Sequence, residues 1–147
     1  MKTSLRKFLE TNEFVRIPLK KLNSNHYKLT AQINKEIGEF ILDTGASSSC
    51  VGFEKIDYFH LQTEETEIKA SGAGATNMEA LISKKNHLQL GTLSLNNVAL
   101  VLFNLSHVNE ALSQMDEPPV DGIIGADLLK KLHAVIDYGR NCLYIKK

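Results

Sequence analysis

Residues 40–49 read Phe40-Ile41-Leu42-Asp43-Thr44-Gly45-Ala46-Ser47-Ser48-Ser49, an apolar run that delivers one carboxylate to a turn of small residues. An apolar strand ending in an acid, a hydroxyl and a glycine sets the acid where a buried strand emerges. The backbone there must bend sharply or approach another group closely. A carboxylate so placed is partly desolvated, and its ionisation responds to its neighbours. In isolation, Asp-Thr-Gly most simply starts an Asx-type turn, with Gly45 serving the turn alone. The tetrapeptide Asp43-Thr44-Gly45-Ala46 arises by chance in roughly one in a thousand chains of this size at average residue usage. The context therefore decides.

That context is a second stretch, Val120-Asp121-Gly122-Ile123-Ile124-Gly125-Ala126-Asp127-Leu128-Leu129, in which two apolar residues precede a glycine and a helix start. The ordered pair, apolar-apolar-Asp-Thr-Gly-Ala and then apolar-apolar-Gly, resembles the retropepsin-like aspartic proteases, the single-lobe relatives of pepsin. The two motifs are specific together and weak apart, and the resemblance runs from about Glu13 to the C-terminus. It implies an all-β fold with short helices, a closed barrel with one lobe per chain. It further implies that Ile124 and Gly125 pack behind the Asp43 loop, the glycine letting that loop thread close by.

Outside the motifs, the composition is that of an ordinary globular domain. The chain has 147 residues, 43% apolar and 23% charged, which suits one core. Net charge is zero, so no electrostatic footprint for nucleic acid or an anionic membrane is visible. Residues 1–10 lack the continuous apolar segment of a secretory signal, and no run is long enough to span a bilayer. A cytoplasmic protein is expected, or one from which a leader has been trimmed. Cys50 and Cys142 match no zinc or thioredoxin spacing and read as reduced thiols. The histidines show no paired spacing, so neither metal nor cofactor is expected.

Periodicity fills in the rest. Leu5, Phe8 and Leu9 share a helical face ending near Asn12, a helical arm over residues 1–12 that could be a docking helix, a dimer contact or merely a frayed arm. From Glu13 to the C-terminus the pattern is of short strands, one domain over residues 13–147. Strands are expected at 14–19, 26–33 and 37–42, with Asn34-Lys35 as a tight hairpin turn because Asn tolerates positive φ. Extended chain follows at 50–53 and a helical turn at 54–60. Two further strands are expected around Gly91-Thr92, over Leu88–Leu95 and Asn97–Phe103, the second apolar nearly throughout and so buried on both faces. A helix is expected from Ser106 to Met115. Asp127 is placed to cap a helix over 128–133 with Leu128, Leu129 and Leu132 inward, and a hairpin around Gly139-Arg140 ends the chain.

The small-residue run Ala70-Ser71-Gly72-Ala73-Gly74-Ala75-Thr76 reads as a hairpin tip, for which a flexible loop with no task is the plain alternative. By the resemblance it lies where the family carries its flap, and Ser71, Gly72, Ala73 and Gly74 would then cover a bound peptide. The resemblance also places Ala46 and Ser47 against substrate backbone, and Cys50 and Ile123 along the cleft. For the last two, plain core packing is the alternative.

The implied chemistry is hydrolysis of a peptide or protein substrate by two carboxylates that share a proton. The ionised one takes a proton from water, and the protonated one hydrogen-bonds the carbonyl oxygen. The chain has one Asp-Thr-Gly, so a two-fold homodimer would supply the second acid, with Thr44 holding the two loops together across the axis. Asp121, Asp127 and Asp137 have plainer roles in a turn, a helix cap and a hairpin. Retroviral relatives often carry an acid and an arginine that brace the dimer. Ser47 and Ala126 stand at those positions here, and a hairpin follows the last helix. A second reading is therefore a catalytically inactive peptide-binding or interaction module on the same fold.

Overall fold

The computed structural model describes residues 3–65 and 80–147. In chain order they form α1 (Leu5–Thr11), β1 (Val15–Pro18), β2 (Lys20–Lys21), β3 (Tyr27–Ile33), β4 (Glu36–Leu42) and β5 (Cys50–Gly52). After a 3-10 turn at Phe53–Lys55 come β6 (Glu64–Glu65), β7 (Leu81–Leu90), β8 (Leu93–Phe103) and α2 (Ser106–Ser113). The chain closes with β9 (Gly122–Ile124), α3 (Ala126–Lys131), β10 (Val135–Asp137) and β11 (Cys142–Ile145).

The larger sheet runs β2-β3-β4-β9-β5-β8-β7-β6, and a further pairing of β3 with β7 joins its ends into a six-stranded closed barrel. The closing contact is short, Gln32 beside Gln89 and Ile33 beside Leu88. The barrel's first hairpin is set by the turn: Asn34 and Lys35 have φ of 50° and 74°, and Ile33 sits opposite Glu36. Positive φ at both central residues gives the twist that antiparallel strands need. The Asn34 side chain then ties the turn to the barrel, donating to the Phe59 carbonyl at 2.8 Å and accepting from the His87 N–H at 2.9 Å.

Apolar alternation in β3 buries Leu29, Ala31 and Ile33, while Thr30 stays exposed. On β4, Gly38 makes room for the Phe59 ring, since a Cβ there would lie 2.6 Å from it. Phe40 and Phe59 are fully buried, with ring centroids 6.1 Å apart. Burial of such aromatic area contributes about 25 cal/mol per Å² removed from water, the dominant favourable term of the barrel.

β7 starts at Leu81, seven residues before the strand legible in the sequence at Leu88. The intervening Ser83-Lys84-Lys85-Asn86-His87 has no apolar alternation because it is bulged: Lys85 has φ 63° and the register shifts on either side of Asn86. Asn86 is nonetheless 4% exposed, its amide donating to the carbonyls of Ser83 and Val98. The C-terminal half of β8, Leu100 to Phe103, is buried on both faces as its composition suggests.

A smaller sheet, β1-β11-β10, joins the two ends of the described chain. Its inner face adds Ile17, Leu143 and Ile145 to the barrel core. Its outer face carries Cys142 and Tyr144, covered by α1 through Leu9. Ser4 caps α1 by accepting from the Lys7 N–H at 3.0 Å. Of the three apolar residues expected on one docking face, only Leu9 is buried; Leu5 and Phe8 remain 44% and 57% exposed.

Candidate active site

β4 and β9 run parallel, Leu42 beside Ile124, so both motifs leave the barrel at the same end. The Asp43 N–H donates to the Ile124 carbonyl at 3.0 Å, the last rung of that ladder. The chain then turns: the Gly45 N–H donates to Asp43 Oδ1 at 2.9 Å, and the Ala46 N–H to the Asp43 carbonyl at 3.2 Å. This is the Asx turn that the bare tripeptide suggests, here fixing one carboxylate oxygen while Asp43 stays half-buried and Thr44, Gly45 and Ser47 are exposed.

Gly125 backs the turn by close approach. A Cβ there would lie 2.6 Å from the Ala46 carbonyl oxygen and 3.1 Å from that of Ser48. The contact is sealed by the Ala126 N–H donating to the Ala46 carbonyl at 2.7 Å. Gly122, one strand position from Ile123, is equally confined, between the Cys50 carbonyl and the Phe40 ring.

A buried hydroxyl couples the two loops, and the sequence did not reveal it. Ser49 is fully buried; its Oγ accepts from the Gly125 N–H at 2.8 Å and donates to Asp127 Oδ1 at 2.7 Å. That same oxygen accepts from the N–H groups of Ser49 and Leu128 at 2.9 and 2.8 Å. Asp127 is therefore not the helix cap expected of it: α3 begins at Ala126 with Gly125 at the N-cap position, and the carboxylate reaches sideways to the Asp43 loop. The third serine of a Ser-Ser-Ser run and an acid two residues past Gly125 were the only available signal.

The remaining acids are held elsewhere. Asp121 accepts from the Glu39 N–H at 2.9 Å and lies 3.4 Å from Lys55 Nζ. Asp137 accepts from the Arg140 N–H at 3.2 Å inside the last hairpin. Among the described residues no three His, Cys, Asp or Glu side chains cluster as a metal site.

Ile123 and Cys50 part company. Ile123 borders an apolar pocket of about 220 Å³ that contains Asp43. Cys50 is 2% exposed, packed among Ile41, Ala46, Val101 and Ile123, and its thiol does not border that pocket. Burial pushes that thiol up to about 12, with the nearby carboxylates Asp127 and Asp43 adding to the rise against a backbone hydrogen bond from Ile123. Ala46 is buried, its methyl in that same cluster and its backbone bonded to Asp43 and Ala126. The flap expectation, Ser71, Gly72, Ala73 and Gly74, lies outside the described residues. A second, shallower depression of about 490 Å³ joins Asp43 and Thr44 to Tyr27, Ile136 and Tyr138.

An all-β barrel in which a parallel strand and its glycine back an Asp-Thr-Gly turn defines the single-lobe acid-protease class. The family model described as aspartyl protease matches residues 29–128, and the chain belongs to that family. Its architecture is similar to a retropepsin-like aspartic protease from Rickettsia conorii, with TM-score 0.58 and 17% identity over 90% of this chain and 91% of that one. It is similar also to the retroviral protease-like domain of Ddi1 from Leishmania major, with TM-score 0.55 and 19% identity over 80% and 86%. The protease of EIAV, solved with an inhibitor, gives TM-score 0.53 and 18% identity over 75% and 90%. Identities this low establish the shared retropepsin-like fold. No curated protein matches the sequence.

Proposed function

We propose that residues 13–147 form an aspartic endopeptidase in which Asp43 from each of two subunits meets across a two-fold axis, residues 1–12 being an accessory arm. The observation that carries the reading is the Asp43 turn itself: a carboxylate at the barrel's end with one oxygen held by Gly45, in a chain whose other candidate acids are engaged elsewhere.

Two such carboxylates about 3 Å apart cannot both be ionised. One would take a proton from a water molecule as that water attacks the peptide carbonyl. The other would donate its proton to the carbonyl oxygen as charge develops there. Both become chemically distinct only in the pair, so a single lobe holds half of a site. The depression beside Thr44, lined by Ile136 and the 65% exposed Tyr138, is the surface a second copy would cover. β10 is the outer strand of its sheet among the described residues, and its Ile136 lines that depression. By the resemblance, Ala46 and Ser47 would meet substrate backbone, and residues 71–74, which lie outside the described residues, would close over it.

The test is cleavage of an unfolded protein by the wild-type chain and by Asp43→Asn, with the mass of each measured in solution. A dimer whose cleavage is blocked by statine-type transition-state mimics and lost in the variant supports the reading. One observation favours a second reading, an inactive peptide-binding module: Asp43 has no carboxylate partner within its own chain among the described residues. A strict monomer at micromolar concentration that cuts nothing would establish that alternative.

A further inference from the structure

Away from Asp43, two strand edges face one groove. β3 meets β2 only at Tyr27 and Lys28 and β7 only at Gln32 and Ile33, so among the described residues Leu29, Thr30 and Ala31 have no strand on that side. On this same edge the His26 carbonyl accepts from the Leu22 N–H, and the Asn34 N–H donates to the His87 carbonyl, both at 2.8 Å. Alternation along an antiparallel strand then turns the N–H and C=O of Thr30, midway between them, into the gap. β1 has β11 on one side and no strand on the other among the described residues. Just past it, the Leu19 N–H donates to the Asn141 carbonyl at 2.8 Å, which turns the Arg16 and Pro18 backbone away from β11. Pro18 has no N–H, so β1 presents a blunted edge and β3 an open one.

The groove between them has a volume of about 560 Å³. Its floor is apolar: Ile17, Leu19, Leu29 and Ala31, all buried. Its rim carries Arg16, Lys20 and Lys28 against one acid, Glu39, which accepts from the Thr30 hydroxyl at 3.1 Å. None of the three cations lies within salt-bridge distance of a carboxylate among the described residues. Lys20 moreover stands directly opposite Lys28, and like charges so paired destabilise a sheet. An anion entering the groove would relieve that repulsion.

We infer that this groove is a docking site for an extended segment of a partner protein in which acidic residues alternate with apolar ones. Added to β3, the segment's main chain pairs with Thr30, and its side chains alternate between the two faces of the sheet. Those on the face shared by Lys20 and Lys28 are the acids; those on the face of Leu29 and Ala31 are apolar and meet the floor. The open edge is three residues long, so main-chain pairing is brief and the charges supply the selectivity. A nucleic acid fits less well, because a phosphate backbone would leave the apolar floor and the Thr30 edge unused, and the chain has no net positive charge. Neither Asp43 nor its turn lines the groove, so the inference stands apart from the peptidase reading.

The probe is a short fluorescein-labelled peptide of alternating glutamate and valine, titrated with the full chain and followed by anisotropy. Binding should saturate, weaken with added salt, and fall roughly tenfold when glutamine replaces glutamate. Lys20→Glu exchanges a like-charge pair for an opposite one, so it should raise Tm while weakening the glutamate peptide by roughly tenfold or more. A damaged fold cannot give both results. Thr30→Pro removes the N–H that faces the gap and spares the ladder to β4; where circular dichroism shows it folded, it should weaken glutamate and glutamine peptides alike by roughly threefold to tenfold. No saturable binding, equal affinity for the two peptides, or an affinity that Lys20→Glu leaves unchanged overturns the assignment, and the lysines then only guard an exposed edge. Displacement by a statine-type mimic would put the peptide in the catalytic cleft, and equal competition by a single-stranded oligonucleotide would make the groove a general polyanion site. A peptide that binds only by dissociating a dimer, followed by light scattering, would make it a subunit contact. Each of these three results also overturns it.

Discussion

Replacing Gly125 by alanine tests how the second motif supports the first. The new Cβ would stand 2.6 Å from the Ala46 carbonyl oxygen, where real contacts stay above 3.0 Å, so the Asp43 turn or α3 must move by about 0.4 Å at least. The oxygen it strikes is the one that accepts from the Ala126 N–H at 2.7 Å, so the movement strains that bond. Overpacking of this kind costs about 1–3 kcal/mol, and a weakened hydrogen bond adds about 1 kcal/mol. The sum, about 2–4 kcal/mol, corresponds to a fall of about 4–16 °C in Tm for a chain of this size. Because the displaced turn carries Asp43, peptide cleavage should fall further, by roughly tenfold or more, given that a 1 Å misplacement costs about a hundredfold. Thermal unfolding followed by circular dichroism, with cleavage measured well below the lower Tm, separates the two effects. Gly139→Ala is the control: its Cβ would meet nothing nearer than Asp137 Oδ1 at 3.4 Å, an ordinary contact, and should change stability by less than about 0.5 kcal/mol. A Gly125→Ala protein as stable and as active as the control would refute the backing role.

Ser49→Ala strips the Gly125 N–H and Asp127 of a shared buried partner and should cost about 1–3 kcal/mol in urea unfolding, with Asp127→Asn, which keeps an acceptor, losing less. Cys50 should resist alkylation in the native protein well above pH 9 and react once the chain unfolds, because burial holds its thiol up to about 12 against an ordinary 9.0. The sign follows from proton counting: between those values the folded chain keeps a proton that the unfolded one has released, so this contribution to stability is whole below pH 9 and lost as pH rises toward 12. Native-state labelling that proceeds readily at pH 9 would contradict the burial. Asp43→Asn should reduce cleavage by roughly 10²–10⁴-fold or more while leaving Tm nearly unchanged, because among the described residues its carboxylate holds only the Gly45 N–H.

Much of the barrel is legible in residue order because its signals are local. Asn34-Lys35 prescribes its own turn, and the apolar alternation of Leu29, Ala31 and Ile33 names the inward face of β3. The pairing of the Asp43 turn with Ile124 and Gly125 is legible for another reason: only glycine fits where two backbones meet so closely. What the sequence hides is non-local or irregular. The first half of β7 has no alternation because a bulge at Lys85 interrupts it. Asp127 looks like a helix cap from its neighbours, and its real partner, Ser49, is 78 positions away. α2 borders the pocket next to Asp43 through Val108, Ala111 and Leu112, a placement that depends on where Asn109 and Asn23 fasten residues 104–121 to Val120 and Met115, which no periodicity encodes. Cys50 and Ile123, alike in sequence as apolar cleft candidates, sit opposite each other on β5 and β9 and share one buried cluster, and of the two Ile123 also borders the pocket.

The central claim is that two Asp43 carboxylates act as one unit, and subunit mixing tests it most directly. Wild-type chains are unfolded and refolded with increasing proportions of Asp43→Asn chains at constant total concentration, and cleavage is measured per total protein. If each site needs an Asp from both subunits, activity follows the square of the wild-type fraction, about a quarter at equal mixing for random pairing in a two-fold dimer. Activity that falls only in direct proportion, to about half, would mean that one chain carries a whole site, and would contradict a site shared between subunits.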